Sequence, residues 1–179
     1  AAERERATEP IVRTGTANSA VPAAHRHPVS ASRGATDMAL SARAKKLVAA
    51  LTQGNVKLGD LKKRGSEIKK DHDLATELWS TGDYYPRLLA TLIFDNKLLS
   101  ENVIDQLASD MLRHGAEERN QLTDWLLANQ LAKDKKLVSL IATWEKNPSP
   151  MLRRLFWYHQ ARLRWTGQTP PDNSADLLD

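Results

Sequence analysis

The chain has no cysteine, which excludes disulfides, thiolate nucleophiles, cysteine-based zinc fingers and iron–sulfur clusters together and suits a reducing compartment. Long apolar runs are missing too. Charges interrupt every candidate within about a dozen positions, short of the roughly 20 residues a membrane-spanning helix needs, so a soluble protein with no membrane partner is expected. Glycine and proline number only eight each in 179 residues, which argues against a many-turned sandwich and for few, long elements. Also absent are a Gly-rich phosphate loop, a GxSxG elbow, an HExxH pair and an EF-hand loop, and with them the chemistries those motifs serve. What is present is 41% hydrophobic residues, enough for a core, with 27% charged residues, a balance that suits one globular domain plus a tail.

The 26 basic and 22 acidic residues are unevenly spread. Residues 41–70 hold nine basic residues against Asp60 and Glu67, a net +7; residues 71–147 carry −5; residues 148–166 add Arg153, Arg154, Arg162 and Arg164 with no acid. A basic entry and a basic exit flanking an acidic middle could line one side of a helical stack with positive charge, the footprint of a polyanion partner. Two solvated helix faces account for the same distribution, and charge alone favours them.

Residues 1–37 show neither helical nor strand periodicity and are expected to be a disordered tail. They contain no apolar signal-peptide core, so no secretory signal is expected. From Met38 onward the pattern is that of amphipathic helices, expected over about 41–53, 71–80, 84–94, 100–114, 117–132, 134–146 and 150–166, with a basic connector at 56–70. Ser41, Asp83 and Ser100 stand where N-caps belong, and Gly54-Asn55 and Gly115 where helices stop. Six starts near 71, 84, 100, 117, 134 and 149 suggest stacked antiparallel pairs, although an irregular bundle has similar spacing. The expected organisation is a tail (1–37), an all-α domain (38–167) and a flexible C-terminal end (168–179).

Few residues invite chemistry. His25 and His27 form H-R-H in the tail, and His72, His114 and His159 are scattered singly, so neither a metal nor a cofactor is expected. Asp124 falls mid-helix, where aspartate is a poor helix former, with Asn120 one turn earlier and Trp125 beside it. Arg154, Tyr158 and Arg162 share a stripe opposite the apolar face of the last helix, and arginine forks there could grip phosphates or simply face solvent.

Residues Gly59-Asp60-Leu61-Lys62-Lys63, Ile68 through Leu78-Trp79-Ser80-Thr81-Gly82, Arg87-Leu88-Leu89-Ala90 and Asp95 carry a pattern that resembles the DNA alkylation repair family, the AlkD-like glycosylases. Trp144 through Asn147 followed by Leu152-Arg153-Arg154 resembles the same family's loop and Arg-Arg helix start, and the likeness covers about residues 42–165. It implies a HEAT-like α-solenoid that binds double-stranded DNA as a monomer in the cytoplasm, associated with the nucleoid, and hydrolyses the N-glycosidic bond of N3- or N7-alkylated purines. On this likeness Asp124 is the catalytic carboxylate, Arg154 a phosphate clamp, and Arg153, Lys62, Lys63, Trp125 and Arg162 further DNA-binding residues. Active members carry a tryptophan four residues before the aspartate, where this chain has Asn120, and continue for further repeats, so a diverged or truncated member is expected. A non-catalytic α-solenoid that binds DNA backbone or a protein partner stays open as the alternative.

Overall fold

A computed structural model of the protein describes residues 39–53, 56–165 and 167–177. Among these residues there are eight α-helices, three short 3-10 turns and no strand, so the described part of the chain is all-α, and none of its helices is long and apolar enough to cross a membrane. The expected tail and the Gly54-Asn55 stop lie outside the described residues.

The helices are α1 (Ala42–Thr52), α2 (Leu58–Ile68), α3 (His72–Ser80), α4 (Tyr84–Ile93), α5 (Glu101–Met111), α6 (Ala116–Asn129), α7 (Lys135–Ile141) and α8 (Pro150–Leu163). Their starts follow the capping chemistry of the sequence. Oxygens of Ser41, Asp71, Ser100, Asp134 and Ser149 accept hydrogen bonds from first-turn amides of α1, α3, α5, α7 and α8, satisfying donors that have no partner inside the helix. Asp83 is a correction. It precedes α4, but its side chain caps no amide there. The expected helices at 100–114 and 134–146 are also shorter, ending at Met111 and Ile141.

The larger correction is residues 56–70, where a connector was expected and α2 forms. Gly59, Gly65 and Ser66 depress helix propensity, which hides the pattern. The helix forms because Leu61 and Gly65 are buried against the rest of the fold. A Cβ on Gly65 would lie 2.9 Å from Leu92 Cβ and Cδ1, so the glycine permits the close approach of α2 to α4. Tertiary packing overrides propensity at this point.

Helix α4 is the centre of the fold. It is apolar nearly all round, with Leu88, Leu89, Ala90 and Ile93 wholly buried, and it packs against α1, α2, α3 and α6. The even-numbered helices touch in succession, α2 to α4, α4 to α6 and α6 to α8. Arg87 of α4 is only 2% exposed, and its charge is held by several partners. Nε donates to the Trp79 carbonyl at 3.1 Å, Nη1 donates to the Asp110 carbonyl at 2.9 Å, and the guanidinium lies 5.0 Å from the Trp79 ring centre. Two helix C-termini, those of α3 and α5, are thereby tied to α4. Nη1 also lies 2.8 Å from His114 Nε2; a guanidinium only donates, so this nitrogen accepts and Nδ1–H of His114 donates to Glu118 at 2.9 Å.

Candidate nucleic-acid interface

Helix α6 divides its residues by face. Leu122, Thr123, Leu126 and Leu127 are buried, while Asn120, Asp124 and Ala128 form one i, i+4 row on the other side and Gln121, Trp125 and Asn129 a second. Both rows line an open cleft of about 710 Å³. Its other lining residues are Glu117 in the first turn of α6, Lys62 of α2, Tyr158 and Arg162 of α8, and Trp165 just beyond that helix. The α8 wall arises in the same way: Leu152, Leu155, Phe156 and His159 turn inward, which leaves Arg154, Tyr158 and Arg162 on the opposite stripe.

Asp124 and Arg154 face each other across the α6–α8 contact. Arg154 Nη2 donates to both carboxylate oxygens at 2.9 Å and Nε donates to Oδ1 at 3.1 Å, a forked pair with both side chains partly exposed. Burial lifts the Asp124 carboxyl above the ordinary carboxylate range; the Arg154 hydrogen bonds, its charge and that of Arg162 pull the other way without cancelling it. A carboxyl so placed is fixed in direction by the arginine and holds its proton to higher pH than a surface aspartate.

Each aromatic ring near the cleft has a cation close by. Lys62 Nζ stands 5.6 Å from the Trp125 ring, Arg154 Cζ 5.8 Å from Tyr158, and Arg162 Cζ 5.7 Å from Trp165. Tyr158 and Trp165 meet edge to face, with centroids 6.1 Å apart.

Of the residues singled out in the sequence, Asp124, Trp125, Lys62 and Arg162 come together in the cleft, and Arg154 joins them through its grip on Asp124. Two do not join them. Arg153 donates to the carbonyls of Asn147 at 2.6 Å and Pro148 at 3.0 Å, tying down the turn that precedes α8, and Lys63 is exposed outside the cleft lining. Sequence reasoning missed Trp165, Gln121 and Asn129. For Gln121 and Asn129 the signal was present, because both share the i, i+4 row of Trp125; Trp165 lies past the end of α8, where helical periodicity gives no guide.

Among the described residues no group of three or more His, Asp or Glu is placed to hold a metal ion. Comparison of the chain with known protein families, with curated proteins and with solved structures finds no match.

Proposed function

We propose that this cleft binds DNA and that the chain is an AlkD-like DNA alkylation repair protein, a HEAT-like α-solenoid that acts in the cytoplasm on nucleoid DNA and hydrolyses the N-glycosidic bond of N3- or N7-alkylated purines. The observation that carries the reading is the convergence of one half-buried carboxylate, Asp124, with the cations Lys62 and Arg162 and three aromatic rings in a single open cleft. Cations engage phosphates, and aromatic rings offer faces to sugar or base. The chemistry asks little of the protein. An alkylated purine is cationic and leaves readily, so an ionised Asp124 has only to stabilise the positive charge that develops on the sugar and to orient water towards C1′. Arg154 holds the carboxylate in direction while this happens. Asn120, in the same row as Asp124, offers amide hydrogen bonds where active family members offer a ring.

The deciding experiment is release of 7-methylguanine from methylated duplex DNA at low salt by the protein and by Asp124→Asn. Release that the substitution abolishes supports the glycosylase; no release by either protein sinks it. One observation favours a second reading, a non-catalytic binding module: Asp124 is already satisfied by Arg154 and so has a structural partner without any substrate. In that case DNA binding persists and turnover is absent.

A further inference from the structure

A second concavity lies on elements that the cleft does not use. Between α3 and α5 runs a groove of about 280 Å³ that shares no lining residue with the cleft. Trp79, Phe94 and Leu107 supply its apolar floor, and all three are otherwise buried in the core. Val103 and the exposed Thr76 flank them. The floor is fixed before anything binds, because Trp79 Nε1 donates to Asp110 Oδ2 at 3.0 Å and the indole meets the tilted Phe94 ring with centroids 6.0 Å apart.

The two helices that form this groove carry charge of one sign. They hold five acids, Asp73, Glu77, Glu101, Asp105 and Asp110, and no Lys or Arg. Two of the five are engaged within the fold. Glu77 accepts from the Ser41 amide at 2.7 Å, and Asp110 accepts from Trp79 and Gln106, with Arg87 and Arg113 each 4.0 Å away. Asp73 and Glu101 suit the first turns of their helices, where the dipole favours an anion. Asp105 has no such reason to be there. It is exposed in the middle of α5, one turn on from Asn102 at the edge of the groove, and no ion pair holds it among the described residues. Asp73 stands one turn before Thr76 on the facing helix.

From this pairing of an apolar floor with acidic walls we infer that the groove binds a basic segment of a partner protein, with one large apolar side chain seated on Trp79, Phe94 and Leu107 and flanking lysines or arginines turned to Asp105 and Asp73. At about 280 Å³ the groove falls below the usual range of small-molecule sites, roughly 300–1,000 Å³, and suits the side chains of a docked chain. The apolar anchor supplies affinity, and the acids select the sign of the partner. Nucleic acid and anionic lipid surfaces carry the wrong charge for it. Since the groove is built on α3 and α5, whereas α2, α6 and α8 line the cleft, the inference does not depend on what the cleft binds.

The test is selection of a phage-displayed library of random dodecapeptides on the immobilised full chain, followed by fluorescence anisotropy of the enriched peptides in a salt series. The proteins compared are the wild type, Thr76→Phe, the double variant Asp73→Lys with Asp105→Lys, and Lys62→Ala, each first checked for native helicity by circular dichroism. Thr76→Phe fills the groove from an exposed position, the double variant reverses charge at two exposed positions, and Lys62→Ala alters only the cleft. The enriched peptides are expected to share a large apolar residue flanked by Lys or Arg. Thr76→Phe is expected to weaken them about tenfold or more, as loss of a central anchor does, the double variant to weaken them and flatten their salt dependence, and Lys62→Ala to leave them unchanged. No enrichment over an unrelated bait, enriched peptides without a basic bias, or binding indifferent to Thr76→Phe overturns the inference. Weakening by charge reversal alone overturns it too, since that is diffuse ionic attraction without a seated side chain. None of these outcomes bears on base release, which is read separately at the cleft.

Discussion

Asp124 is held between burial, which favours its protonated form, and Arg154, which favours its charge, and burial prevails. Because folding raises this pKa, the residue's contribution to stability is full below the ordinary value of about 3.9 and is lost as pH rises through the folded value. At pH 7 Asp124→Asn is therefore expected to melt no lower than the wild type, even though it removes the group proposed for catalysis; a drop of several degrees would make the aspartate structural. Catalytic base release is expected to climb with pH through a limb displaced above the usual carboxylate range. In Arg154→Ala that limb moves higher still, since the lowering influence is gone, while the loss of a partly exposed pair costs stability only about 1 kcal/mol. His159 runs the opposite way. Burial, then Arg162, lowers its pKa, and its Nδ1 has no hydrogen-bond partner among the described residues. The unfolded chain takes up this proton near pH 6.5 and the folded one does not, so stability is full above that pH and falls below it. Thermal melts between pH 7.5 and 5.5 are expected to show the fall, and His159→Leu to flatten it.

At the scale of elements, α2 shows what sequence patterns convey and what they hide. Caps at Ser41 and Ser100 were legible because the signal is local: an oxygen placed beside a first-turn amide. Gly65 was illegible because its reason is Leu92, on another helix and far along the chain. The same contrast gives a paired test. Gly65→Ala is expected to lower the melting temperature although alanine is the better helix former, and pairing it with Leu92→Ala should cost less than the two single changes added together. Gly59→Ala, with nothing within 4 Å of the added Cβ, is expected to raise stability by up to about 1 kcal/mol in the same helix. Urea melts of the four variants measure both. The candidate site divides similarly: the Arg154, Tyr158 and Arg162 stripe follows from helical spacing, whereas the grip of Arg154 on Asp124 depends on how α8 packs on α6.

For the whole molecule, the charge distribution now has an address. Part of the basic excess of residues 41–70 lies on α2, whose Lys62 reaches the cleft while Lys63 points elsewhere on the exposed surface. If both meet phosphates, Lys62→Ala and Lys63→Ala should each reduce the slope of log affinity against log salt by about one; if only the cleft is used, Lys62→Ala alone does so. The five tryptophans are distributed so that the protein can report on itself optically. Trp144 is 1% exposed and Trp79 5%, whereas Trp157 and Trp165 stand open to solvent. Acrylamide should therefore quench one share of the emission and spare a blue-shifted remainder, and any molecule that settles on the cleft rim will remove part of the quenchable share, so occupancy can be followed without attaching a dye.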